Sequence, residues 1–342
     1  MKKRFSALLL ACLLCSLSLL SGCGLFDALS DKVPTTYPNA EKYTVGNAKF
    51  DGKVDSLSIW WIYGSVTVKT HKESTVKIEE TANRALDDTL RLHWRYFNAS
   101  DYGDVLYVRY SASGNFDYGD LQKDITVYLP EQDGMDITLT VEAASVDVDV
   151  STFENTLDEL TVITNSGKVT ARIDSADEVR ISGQNDEDVP EQMREFFLRA
   201  KGTVQNLGVS SSYAKVDVAA SSVRYGEVGS VFADLCFSAE KVGDLTLQNS
   251  RNGIYATVLS FNALEIENFE GECELTLSPD ASFVLTVKEK DRFKHPTVPT
   301  SVTVGFADAV HSGAQYTVGS GENAISAATA GAFSVLPLAQ AD

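Results

Sequence analysis

Leu264-Glu265-Ile266-Glu267-Asn268-Phe269-Glu270-Gly271-Glu272-Cys273-Glu274-Leu275-Thr276-Leu277 places two short alternating runs on either side of a glycine. Apolar residues at every second position are the signature of a half-buried β-strand. Nineteen residues before Leu264/Ile266 stands Leu245/Leu247; nineteen after it comes Phe283/Leu285, and after the same interval Val302/Val304. Leu57/Ile59 with Val76/Ile78, and Leu160/Val162 with Val179/Ile181, keep the same interval of nineteen. Leu207/Val209 opens the last series, in which Gly226 occupies the next expected position and reads as out of register. Seven residues after several of these starts comes a small residue: Gly64, Gly167, Ala214 or Gly271, with Gly253 one place late.

A fixed period with a glycine corner is what a stacked β-coil requires. Each coil has an apolar face that it cannot bury alone, so neighbours stack into one continuous core. A β-sandwich has strands at 8–12-residue spacing and no reason to hold one interval across successive sites. The pattern therefore predicts an all-β, parallel β-helix-like solenoid with coils of about nineteen residues. One short helix is expected as an insertion over Asp188–Leu198, with Asp188 as N-cap, Pro190 in the first turn and Glu191 completing a capping box. Residues 84–125 read as an irregular, aromatic-rich decoration of the early coils.

The N-terminus carries an address. Met1-Lys2-Lys3-Arg4 is basic, Ala7 to Leu20 is almost unbroken apolar sequence, and Leu20-Ser21-Gly22-Cys23 closes it. An ordinary secretory leader ends in an Ala-x-Ala-like site; this one ends at a thiol. The pattern resembles the bacterial lipobox, in which cleavage precedes the cysteine and its sulfur is diacylated. The expected organisation is a lipoprotein signal peptide at 1–22, a lipidated N-terminus and tether at 23–45, and a β-solenoid domain at 46–338. The apolar run is too short for a transmembrane span, which takes about 20 residues.

Charge narrows the partners. Removing residues 1–22 leaves 26 basic against 48 acidic residues, a net charge of −22. That surface repels nucleic acid and anionic headgroups, so membrane attachment falls to the acyl chains at Cys23. After Cys23 only Cys236 and Cys273 remain, 37 residues apart and close to two coils. Two strand spacings of about 4.8 Å exceed disulfide reach, so two separate buried thiols are expected.

Leu57 to Val68 with its Gly64 corner, Asn165-Ser166-Gly167-Lys168-Val169, and the terminal Tyr316-Thr317-Val318-Gly319-Ser320-Gly321 resemble the adhesin-like family of bacterial β-repeat proteins with a DUF4097-type domain. The resemblance spans most of residues 50–338. It implies an elongated β-helix-like envelope protein, often tethered to a membrane, with no catalytic residue and no cofactor.

Catalytic and ligand motifs are sparse. His71, His93, His295 and His311 fall in no metal-ligand spacing. No Gly-x-Ser-x-Gly elbow is present. Gly319-Ser320-Gly321-Glu322-Asn323-Ala324 imitates a dinucleotide fingerprint without room for its βαβ unit. Asp101-Tyr102-Gly103-Asp104 recurs as Asp117-Tyr118-Gly119-Asp120, and Asp186, Glu187 and Asp188 form a third acidic cluster. Such turns read first as backbone geometry, with weak Ca²⁺ ligation or paired-carboxylate chemistry as alternatives. Asp147 and Asp149 alternate with Val146, Val148 and Val150 as the wet side of a strand, and alternation sends at least one of Trp60, Trp61 and Tyr63 outward. The sequence thus predicts a lipid-anchored, extracytoplasmic, non-catalytic protein of envelope interaction or adhesion, with no metal or cofactor and with a protein or glycan partner. The alternative is a glycan-binding or glycan-cleaving β-helix, assisted by Ca²⁺.

Overall fold

The computed structural model describes residues 40–339 apart from 101, 114–117, 132, 133, 153–155, 186, 189–193, 293, 294 and 298. The leader 1–22, Cys23 and residues 24–39 lie outside the described residues. The described chain is all-β and dominated by parallel pairings; Ala40–Lys42 forms a 3-10 turn, and the described residues contain no α-helix.

The N-terminal module contains β1 (Thr44–Val45), β2 (Ala48–Asp51), β3 (Ser56–His71), β4 (Thr75–Ala82), β5 (His93–Ala99), β6 (Gly103–Arg109) and β7 (Lys123–Pro130). Along its outer edge β3 receives β6 on Ser56–Trp60 and β7 on Gly64–His71, both parallel. The next layers reverse direction: β5 lies antiparallel on β6, and β4 antiparallel on β7. Finally β1 pairs with β5, and β2 with β4. Val76 and Ile78 therefore belong to an antiparallel closing layer, and their distance of nineteen from Leu57/Ile59 marks no coil. Period-two burial is the same for strands of either direction, so alternation could not separate the two. At the bend of β3, Gly64 has φ +105°, and a Cβ there would collide with the Lys123 carbonyl.

The repeating part begins at β8 (Asp136–Val150), parallel to β3 from Ser56 to Lys69. Its first half carries β9 (Leu157–Ser166) and its second half β10 (Val169–Ile173), with the chain turning at Gly167, φ +139°. β11 (Ala176–Gly183) follows on β9, placing Val179/Ile181 beside Leu160/Val162 as the interval requires. β12 (Glu195–Ser211) spans both halves, and β13 (Lys215–Ser230), β14 (Leu235–Asn249) and β15 (Ile254–Asn268) stack on it in parallel. Val216, Leu235 and Ile254 are register partners, as are Leu207, Gly226, Leu245 and Leu264. Gly226 is thus in register, contrary to the sequence expectation. Its missing side chain is replaced by Leu245, whose Cδ1 lies 2.7 Å from where a Cβ would stand.

The inserted helix is absent where it can be checked. Val189 to Met193 lie outside the described residues, but Glu195–Leu198 are the start of β12. Phe196 and Leu198 are buried between Val169/Ala171 on one side and Val216/Val218 on the other. Packing between two layers overrides a local capping pattern, because propensity differences amount to less than about 1 kcal/mol per residue.

The C-terminal end departs most from sequence order. The remaining strands are β16 (Cys273–Leu277), β17 (Phe283–Val287), β18 (Lys290–Arg292), β19 (His295–Thr297), β20 (Ser301–Val304), β21 (Val310–Ser312), β22 (Gln315–Val318), β23 (Asn323–Thr329) and β24 (Ala332–Pro337). β23 inserts between β15 and β17, so Leu264 meets Ile325 and Ile325 meets Leu285. In the same way β24 lies between β16 and β20, with Phe333 between Cys273 and Val302. Phe283/Leu285 are therefore one layer further out than the interval implies and two residues out of register, while Val302/Val304 stack on the other half of the coil, in the column of Cys273 and Phe333. The antiparallel pair β21–β22 covers the outer edge of β17.

Inward side chains of all layers form one hydrophobic cluster running from Val54 to Val335. One corner of the core is polar: Ser211, Ser230, Asn249 and Asn268, nineteen residues apart, are all buried. Ser230 Oγ donates to the Ala214 carbonyl at 3.3 Å, Asn249 Nδ2 to Ala233 at 2.9 Å and Asn268 Nδ2 to Asn252 at 2.9 Å. Each reaches sixteen residues back, tying a corner to the turn of the preceding layer.

Candidate functional site

Parallel pairing fixes where outward side chains stand. On the half of the stack containing β10, one column runs Asp147, Thr170, Phe197, Asp217, Cys236, Tyr255, Glu274. The column beside it begins Lys69, Asp149, Arg172, Arg199. These columns interlock. Arg172 Nη1 reaches Asp147 Oδ1 at 3.0 Å, and Arg199 Nη1 reaches Asp217 Oδ1 at 2.9 Å. The Arg199 guanidinium lies 3.8 Å from the Phe197 ring centroid, with Arg172 at 6.0 Å. Further along, the Tyr255 hydroxyl donates to Glu272 Oε1 at 2.7 Å, and that carboxylate pushes the phenol up to about 12. At a corner, Tyr213, Phe232, Arg251 and Glu270 form another column at intervals of nineteen. Tyr213 and Phe232 stack at 4.4 Å, and Arg251 sits 5.0 Å above Phe232 and 4.0 Å from Glu270.

The strongest buried polar constellation is in the N-terminal module. Lys123 is fully buried; its Nζ donates to Glu80 Oε1 and the Leu90 carbonyl, both at 2.7 Å, and to the Tyr110 carbonyl. The ammonium stands 4.1 Å from the Tyr110 ring and 5.0 Å from the Trp61 ring. Trp61 Nε1 donates back to the Lys123 carbonyl at 2.9 Å, and the Leu92 N–H donates to Glu80 Oε1. Burial lowers Lys123 to about 8 and drives the Tyr110 phenol well above its ordinary value. All three ammonium protons are engaged within the protein. The cluster locks β3, β4 and β7 together and has no proton left for a substrate. Sequence reading passed over it, although the signal was present. Glu80 continues the inward phase of Val76 and Ile78, and Lys123 that of Ile125, Val127 and Leu129.

Of the aromatic triplet, Trp61 is fully buried in the core, while Trp60 and Tyr63 are half-buried and pack against it. Trp60 aligns with Arg109 of β6. Arg109 lies 5.1 Å from the Tyr107 ring, Tyr107 meets Phe97 edge-on at 5.4 Å, and Arg95 lies 4.1 Å from Phe97. This part of the outer face is rich in aromatic and guanidinium groups.

The acidic turns do not converge. Asp104 accepts from Asn98 at 2.9 Å, and Asp120 is 3.3 Å from Arg84. Asp101, Asp117 and Asp186 lie outside the described residues, while Glu187 and Asp188 occupy a turn. Gly103 and Gly119 have φ +66° and +54°, the geometry for which glycine follows Asp-Tyr. The two tyrosines of the repeat part company: Tyr118 is buried and Tyr102 is 68% exposed. Among the described residues no group of three or more His, Cys, Asp or Glu is arranged to hold a metal ion. His71 bonds the Thr75 carbonyl, burial holds His93 below its ordinary value, and His311 stacks on Tyr316 at 4.2 Å. His295 lies in β19. Asp147 is exposed on the wet side, as alternation predicts. Cys236 and Cys273 are free thiols, but only Cys273 is buried. Their spacing of 37 is one short of two nineteen-residue coils, so Cys273 falls in the inward column of Leu235 and Ile254, one position from the outward column of Cys236.

No family model matches the chain, and no curated protein matches it. Among solved structures it is similar to a "putative cell adhesion protein" of Clostridium sporogenes, with 11% identity, a TM-score of 0.28, and coverage of 86% of this chain and 100% of that one. It is also similar to a "putative adhesin" of Bacteroides fragilis, with 11% identity, a TM-score of 0.37, and coverage of 68% and 97%. Likeness at that level carries no argument for what this chain does.

Proposed function

We propose that this chain is a lipid-anchored, extracytoplasmic β-solenoid that serves binding or adhesion in a bacterial envelope without catalysis. Cys23 carries the acyl chains, residues up to 45 link it to the body, and residues 46–338 form the binding domain. The observation that supports this reading is the register of the outward columns. Parallel pairing from β12 to β15 holds Phe197, Arg199, Asp217 and Tyr255 at fixed intervals on one face. A preorganised face of stacked arginine and aromatic groups suits contact with a protein or glycan, since it loses little conformational freedom on binding. On that face Asp147 and Asp217 engage Arg172 and Arg199.

The test immobilises the mature chain through residue 23 and measures retention of envelope protein and glycan fractions, with and without EDTA. Phe197→Ala combined with Arg199→Ala should reduce retention at least tenfold while leaving the melting temperature within a few degrees. Release of reducing sugar ends from bound glycan would overturn the non-catalytic reading. Retention that EDTA abolishes would transfer the role to the acidic turns.

A further inference from the structure

The charge of this protein is segregated along the stack. Residues 40–130 contain 11 basic and 13 acidic side chains, a net charge of −2, whereas residues 131–339 contain 14 and 32, a net charge of −18. All three tryptophans fall in the first group, which is the N-terminal module: Trp61 lies in its core, and Trp60 and Trp94 are half-buried against that core. The same module bears Phe97 and Tyr107 with Arg95 and Arg109 beside the rings, the half-buried Trp60, the 68% exposed Tyr102, exposed Lys72, and exposed Lys49, which pairs with Glu73 at 2.8 Å. Its outermost strands are β1 and β2, which among the described residues pair on one side only. They are also the first strands after the N-terminal segment. From Cys23 to Ala40 the chain advances 17 residues, at most about 60 Å.

We propose that the N-terminal module is the face this protein holds against the lipid headgroups, with the anionic part of the stack directed away from the bilayer; this rests on the reading of Cys23 as the lipid anchor. A leaflet with anionic lipids attracts lysine and arginine near its surface and repels carboxylates, and the effect fades within a Debye length of about 8 Å at physiological salt. Lying flat would bring the carboxylates of β8 to β16 inside that distance. Standing on the N-terminal module keeps them outside it and offers the interface the side chains that suit it. Tryptophan, tyrosine and arginine pair an apolar body with a polar tip and settle at headgroup depth.

The position of the tryptophans makes the test direct. The full-length acylated protein is reconstituted into phosphatidylcholine–phosphatidylglycerol vesicles containing a headgroup-proximal spin-labelled lipid, and a fluorophore is placed on the half-exposed Cys236. Tryptophan emission should fall at least twofold relative to unlabelled vesicles, while the fluorophore on Cys236 is unaffected. Combining Tyr102→Glu, Lys49→Glu and Lys72→Glu, all at exposed positions, should relieve most of that quenching without changing the melting temperature or vesicle co-sedimentation. Quenching of the Cys236 fluorophore in place of tryptophan, or tryptophan quenching that the triple variant leaves intact, would overturn the proposal. Mass spectrometry of the residue-23 peptide separates the two readings. An acylated, sedimenting protein with unquenched tryptophan sinks the membrane-facing module alone, whereas an unmodified Cys23 sinks the anchor and this inference with it.

Discussion

Lys123 shows how one residue can close a module. Its ammonium is enclosed by Glu80, two carbonyls and two aromatic rings. Removing one partner of a buried pair strands the other, so Glu80→Ala should destabilise the protein by about 3–5 kcal/mol in denaturant unfolding. The pH dependence has a definite sign. In the folded chain Lys123 titrates near 8, against an ordinary value of 10.5, so above pH 8 the unfolded chain binds more protons. Stability at this site therefore rises between pH 8 and 10.5, with the cost of the buried charge fully present below pH 8. Unfolding curves from pH 7 to 9.5 should show a gain of about 2 kcal/mol that Lys123→Met with Glu80→Gln abolishes; a flat wild-type profile contradicts the assignment. The thiols supply a simpler check. Burial pushes Cys273 up to about 11 and leaves it inside the core, while Cys236 faces outward. A maleimide at neutral pH should modify Cys236 in the folded chain and Cys273 only in denaturant.

At the scale of the element, the polar corner and the inserted last layer carry the consequences. Asn268 donates to the carbonyls of Asn252 and Glu272 and accepts from the Gly271 N–H. Asn268→Ala removes these three bonds from the corner, the Glu272 carbonyl keeping only the Ile254 N–H, at a cost of about 1–3 kcal/mol, whereas Glu265→Ala on the exposed outer face should change stability by less than about 0.5 kcal/mol. The regular spacing of Ser211, Ser230, Asn249 and Asn268 was available in the sequence, but polar residues in phase with leucines read as breaks in the pattern. The place of β23 and β24 was not available at all. Strand periodicity says which face is buried and nothing about which edge a strand will occupy. Ending the chain after Glu322 would remove the neighbours of β15, β16, β17 and β20 at once. Hydrogen exchange should then accelerate across 254–287 while β8 to β11 keep their protection; unchanged exchange at β15 would contradict the observed strand order.

Across the whole molecule, charge is the quantity that matters. A net −18 on residues 131–339 stores self-repulsion that salt screens. Raising ionic strength from about 0.01 to 0.15 M shortens the Debye length from about 30 to 8 Å, and the melting temperature should rise by roughly 2–4 °C. A fall would mean that surface ion pairs such as Arg172–Asp147 outweigh the repulsion. Summed charge also conceals polarity. A net value that argues against anionic surfaces for the molecule as a whole says little about one nearly neutral end.

The sequence by itself determined the strand character, the inward phase of most strands and the nineteen-residue interval between Leu160 and Val179 and between Leu245 and Leu264, because alternation and coil length are local properties of the chain. It also contained the phase that buries Lys123 and Glu80. Only the tertiary structure decided that Val76 and Ile78 run antiparallel, that Phe196 to Leu198 extend rather than coil, that Gly226 stays in register and that the last strands insert beneath earlier ones. Those outcomes depend on which edge is open and which layer is already packed when two segments meet. Hydrogen bonding across a sheet is shared by strands far apart in the chain, and no local pattern encodes its partner.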